Sequence, residues 1–201
     1  MVAYVFDRIL AKGVRDGQIP ARTQTARDWF RDTAKGAREA SPRHIMKGTG
    51  ESRFLNSIRG AQLGKMYMFY YDPKTKKKLK YYDTFPLIFP FDTAPGGFMG
   101  LNMHYLHYRH RAILMDALYD ITNNDKFDQS TRLKRISYDL LNSAAKYKYF
   151  KPTVHRYLTS HLKSRMLEIA PAEWDIALFL PVEKFVKAGK TTVWKDSKES
   201  W

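Results

Sequence analysis

Five lysines fall within seven residues in the run Lys74-Thr75-Lys76-Lys77-Lys78-Leu79-Lys80. Ammonium groups at that density suit phosphate, which a lysine meets as a compact point charge. Tyr70 and Tyr71 precede the run and Tyr81 and Tyr82 follow it, and phenol rings beside a cationic loop can stack on exposed bases. A solvated loop with its tyrosines lying on a sheet face is the plainer reading of the same residues. A second basic set, Arg27, Arg31, Lys35 and Arg38, recurs at i, i+4, i+8 and i+11. On a helix that spacing lays a continuous cationic stripe along one face. Such a stripe is either solvated or docked on nucleic acid or on an acidic neighbouring subunit.

The remaining constellations are poorer in chemistry. His104, His107 and His110 stand three apart, but a zinc site needs converging ligands and a fourth group, and no partner motif follows. Gly96-Gly97-Phe98-Met99-Gly100 lacks the Lys-Ser/Thr ending of a phosphate loop and the spacing of a dinucleotide fingerprint, so it reads as a turn. Asp116 and Asp120 form an i, i+4 pair of the kind a nuclease uses to hold magnesium, without a third acid or lysine at a nuclease spacing. The sequence therefore assigns no catalytic residue, metal site, cofactor or small-molecule substrate.

Charge points the same way. The chain has 201 residues and a formal net charge of +15, spread along its length rather than gathered in a tail. Compact folding must overcome that self-repulsion, so a polyanionic partner is expected: nucleic acid first, an acidic protein surface second. Hydrophobic residues at 44% and aromatics at 14% supply a core. With no cysteine, disulfides, thiolate metal sites and cysteine nucleophiles are excluded. The start does not read as a signal peptide. The densest apolar run, Phe85 to Phe91, is interrupted by Pro86 and Pro90 and is too short to span a bilayer. Cytosolic production is the expectation.

The elements that must position these residues follow from periodicity. Tyr4, Val5, Ile9, Leu10 and Val14 predict a helix over about 3–16, with Gly13 and Gly17 at a frayed end. Thr23 is the expected N-cap of a second helix over about 24–38, burying Ala26, Trp29, Phe30, Thr33 and Ala37. Residues 63–105 predict a small antiparallel sheet, with strands at Lys65–Tyr71, Tyr81–Asp92 and Phe98–Tyr105. Helices are expected over 107–121, 130–147 and 152–163, the last beginning at Pro152. A strand is expected over 165–170, a helix over 172–179 and a turn over 182–188. The fold class is α+β: an N-terminal helical arm (1–40), a linker (41–62), a core (63–190) with a barrel-like sheet and a C-terminal helical cap, and a peripheral tail (191–201).

Between residues 70 and 120 the wording itself is distinctive. Tyr71, Asp72, Pro73, Lys74, Tyr82, Asp83, Phe85, Pro86, Leu87, Gly96, Gly97, Phe98, Gly100, Leu101, Asn102, His104, Tyr105 and Leu106 resemble the shared core of virion-associated proteins of T-even-type contractile-tailed phages, within them the DNA end protectors. His107-Tyr108 stand where related sequences carry Pro-Pro, which puts the start of the following helix in question. The resemblance implies a structural, non-enzymatic virion protein of the head–tail or neck region that binds packaged DNA ends or non-specific duplex, present in the virion and in host cytoplasm during assembly. The rival it also allows is a baseplate or tail-hub part binding acidic neighbouring virion subunits.

Overall fold

Residues 5–18, 23–38, 40–48, 61–122 and 148–199 are described by the structure, a computed structural model. In chain order the helices are α1 (Val5–Arg15), α2 (Gln24–Lys35), α3 (Pro42–Gly48), α4 (Tyr108–Thr122), α5 (Trp174–Phe179) and α6 (Lys190–Glu199). The strands are β1 (Met66–Met68), β2 (Tyr82–Asp83), β3 (Leu87–Ala94), β4 (Gly97–Asn102), β5 (Val154–Leu158), β6 (Leu167–Ile169) and β7 (Phe185–Val186).

Five strands form an antiparallel sheet in the order β5-β4-β3-β1-β6, and β2 pairs with β7 as a separate ribbon. The sheet is open, not a closed barrel. It curls at one end, where Tyr71 bridges to Leu162. Pro90 lies inside β3 at the price of a register shift between Pro90 and Asp92, because proline has no N–H to give the ladder. At Gly97 the neighbouring strand comes so near that a Cβ would sit 1.8 Å from the Tyr157 carbonyl oxygen. Only glycine fits that junction of β4 and β5.

Successive residues of β1 point to opposite faces, and both faces are covered. Met66 and Met68 join the main core with Phe6, Ile9, Phe30, Ile45, Phe89 and Trp174. Tyr67 and Phe69 join a second cluster with Ile88, Phe98, Tyr157 and Met166. A strand buried on both sides reads as an unbroken apolar run, which is how this one appears in the sequence.

α1 and α2, the helices of the expected N-terminal arm, share that main core with the sheet. Gly13 is no frayed end. It is buried within α1, and a Cβ there would come within 2.4 Å of the Phe30 ring. The Thr23 hydroxyl caps α2 as expected, accepting from the Ala26 N–H at 3.1 Å. The expected helix over 152–163 is a strand, β5, between short 3₁₀ turns. Residues 182–188, expected as a turn, include β7. Within the expected tail, residues up to Glu199 belong to α6, which fully buried Val193 anchors together with the Trp194 indole, donating to the His104 carbonyl at 2.8 Å. The short helix α3 falls in the expected linker. The helix expected over 130–147 lies outside the described residues. No helix among the described residues is long and apolar enough to cross a membrane.

Candidate nucleic-acid interface

The lysine run folds as a turn that begins at Asp72-Pro73 and is closed by backbone bonds from Lys76 N–H to the Pro73 carbonyl (3.2 Å) and from Lys78 N–H to the Thr75 carbonyl (2.9 Å). Three ties hold it. The Lys76 ammonium donates to both Asp72 oxygens at 2.9 Å. Lys80 pairs with Asp196 of α6 at 2.6 Å. Lys187, in the left-handed region at φ 72°, inserts its ammonium among the carbonyls of Lys76 (2.7 Å), Lys77 (3.2 Å) and Leu79 (2.8 Å). The hydrogen bond with Lys76 holds the Asp72 carboxyl below its ordinary value and lifts the Lys76 ammonium. The hydrogen bond with Lys80 does the same for Asp196 and Lys80.

Lys74, Lys77 and Lys78 are exposed and have no ionic partner among the described residues. Six lysines against two carboxylates leave the strapped turn with four surplus positive charges. A rigid cluster of this kind needs little ordering to meet phosphates.

Beneath the turn a cleft of about 530 Å³ opens, bounded by Lys74, Leu79, Tyr81, Tyr82, Tyr105, His155 and Arg156. Its floor is a buried polar network. Asp83 accepts from the Phe85 N–H (2.9 Å), the Asn102 amide (3.1 Å) and His104 Nδ1 (2.7 Å). Burial alone would raise Asp83, but the charge of His104 and these hydrogen bonds outweigh it and hold the carboxyl low. His155 packs against Tyr105 at a tilt, with ring centroids 4.3 Å apart, and burial pushes its imidazole down to about 4.

The four tyrosines separate. Tyr71 is buried at the edge of the cleft, and its hydroxyl accepts from the Leu158 N–H at 3.0 Å. Tyr70 packs on Phe85 at 5.0 Å, away from the cleft. Tyr81 packs between Tyr105 and Phe185. Tyr82 is half-buried, lines the cleft and makes no ring contact or side-chain hydrogen bond among the described residues.

The expected basic stripe is divided between the interior and the surface. Arg27 is 6% and Arg31 3% exposed. Arg31 donates to Asp175 of α5 at 2.7 Å and to Asp116 of α4 at 2.8 Å, and Arg27 pairs with Asp116 at 3.2 Å. Both guanidiniums thus tie α2 to α4 and α5. Lys35 and Arg38 remain exposed, Lys35 beside Asp32 at 2.8 Å.

The same contacts place Asp116 in structural ion pairs. Its expected partner in a magnesium site, Asp120, has its side chain outside the described residues. His104 is fully buried against Asp83, while His107 stands on the exposed side at the start of α4, so the histidine triplet does not converge. No group of three or more potential metal ligands occurs among the described residues.

Sequence reasoning missed Lys187, Asp196, His155 and Arg156. The first two are single charges in unremarkable surroundings, more than a hundred residues from the turn they hold. The last two lie in a strand that reads as a helix.

A family model described as Phage T4 terminal DNA protecting protein matches residues 5–198. No curated protein and no solved structure matches the chain.

Proposed function

This chain belongs to the Phage T4 terminal DNA protecting protein family, and from that premise we propose that it binds the ends of linear duplex DNA without cutting them, as a structural component of the phage particle near the head–tail junction. The observation that carries the reading is the strapped lysine turn, where Lys74, Lys77 and Lys78 project without ionic partners among the described residues. Contacts to phosphate position a protein on DNA but carry no sequence information. Binding is therefore indifferent to sequence and steeply weakened by salt. The cleft beside the turn supplies a place where an end differs from continuous duplex.

The test is an exonuclease-protection assay on linear duplex, with a mobility shift on linear and circular duplex over a range of salt. Protected ends and tighter binding to the linear form are expected at low and moderate salt. Ends digested as fast with the protein as without it, at concentrations that saturate the shift, overturn end protection. No shift with either DNA overturns DNA binding and favours an acidic virion subunit as the partner of the turn.

A further inference from the structure

We propose that the cleft beneath the lysine turn receives one unpaired terminal nucleotide of a DNA strand, its base against Tyr82 and its phosphate at Lys74 and Arg156. The inference rests on the DNA-end reading above and specifies what the site holds.

Size sets the class of ligand. A cleft of about 530 Å³ lies in the range that encloses one small molecule and cannot admit a base-paired end. Chemistry sets the orientation. The mouth carries Lys74 and Arg156, both exposed. Arg156 is fixed by donating to the Pro95 carbonyl. The walls are aromatic: Tyr82, and Tyr105 packed against His155. The floor holds the Asp83 carboxylate. A phosphate is drawn to the exposed cations at the mouth and a base suits the aromatic walls, so the base enters and the phosphate stays outside.

Tyr82 is the residue the geometry singles out. It is the cleft tyrosine whose ring has no aromatic neighbour among the described residues, and its hydroxyl makes no hydrogen bond there. Base–aromatic stacking tolerates every base, which suits ends of any sequence. Unpaired nucleotides occur at frayed or overhanging ends and not in closed circular duplex. The cleft thereby converts a sequence-blind phosphate contact into recognition of an end.

The experiment places 2-aminopurine at the last position of a short 3′ or 5′ overhang on linear duplex, with a paired internal 2-aminopurine as control. DNA occupancy is followed separately by the anisotropy of a distant label. Binding is expected to quench the terminal probe and not the internal one. Tyr82→Ala and Lys74→Glu should abolish the quenching while Tyr82→Phe keeps it. The preference for linear over circular duplex should fall about five- to a hundredfold in Tyr82→Ala, the range of one stacking contact. A terminal probe left unquenched on bound DNA, or a Tyr82→Ala protein that quenches like the wild type, overturns this inference and leaves the proposed function standing. Equal quenching of free 2-aminopurine nucleotide at the same concentration makes the cleft a mononucleotide site and overturns the strand-end assignment. Unchanged anisotropy with every DNA overturns both readings together.

Discussion

Arg31 and Lys77 belong to the two basic clusters that stand out in the sequence, yet one side chain is 3% exposed among three carboxylates while the other projects from a turn with no ionic partner among the described residues. The α2 cluster faces α4 and α5, which bring Asp116 and Asp175 to meet it. The turn instead has its acids, Asp72 and Asp196, at its two ends, leaving the middle uncompensated. Local charge density is the same kind of signal in both. What separates them is the sign of the groups that other elements deliver. A buried cation serves the fold, and a strapped, exposed cation is available to a partner.

The comparison breaks most sharply at Arg31. Arg31→Met leaves Asp175 buried without its cation and should cost about 3 kcal/mol or more in stability by chemical denaturation, with DNA affinity per folded molecule unchanged. Asp175 is pushed up by burial, which Arg31 and Arg27 only partly offset. The carboxyl can therefore protonate as pH falls, and the cost should shrink toward acid pH. A variant as stable as the wild type at neutral pH would mean that Arg31 does not hold the helices.

His155 sharpens the comparison from within the cleft. Its folded-state value is depressed to about 4 by burial, against an ordinary value of about 6.5. The neutral ring is favoured in the fold, so its contribution is full above about pH 6.5 and is lost as pH falls toward 4. His155→Phe should remove an acid-side loss of about 2–3 kcal/mol, measured as unfolding free energy against pH. An identical profile in the variant would place the imidazole in solvent rather than against Tyr105.

The smallest effect concerns the strap. Lys187→Met removes three charge-assisted bonds to turn carbonyls at an exposed site. It should cost about 1 kcal/mol in stability and lower DNA affinity by roughly tenfold or less. Stability loss with no change in affinity would mean that turn rigidity is irrelevant to binding.

Much of this was legible beforehand where a signal is local. The Thr23 cap, the apolar period of α1 and the aromatic run around β1 need no distant information. β5 did not disclose itself, because Val154–Leu158 is too short to separate a period of 2 from 3.6. Pro152 then mimics a helix start, and the strand's partner, β4, lies more than fifty residues earlier. α6 was hidden because its buried residues, Val193 and Ser197, set no apolar period. At the site, the basic turn was readable from composition, whereas the burial of Arg27, Arg31 and Tyr71 was not. Helical spacing says which residues share a face and is silent on what that face meets.

The most direct test of the distinction between the two clusters is the salt dependence of affinity for linear duplex DNA in two variants. One carries Lys74→Gln, Lys77→Gln and Lys78→Gln; the other carries Lys35→Gln at the end of α2 and Arg38→Gln just beyond it. The slope of log affinity against log salt should lose about three units in the first, near one for each phosphate contact removed, and none in the second. Equal slopes in the turn variant and the wild type, or a slope lost only in the α2 variant, would contradict the assignment of DNA contact to the strapped turn.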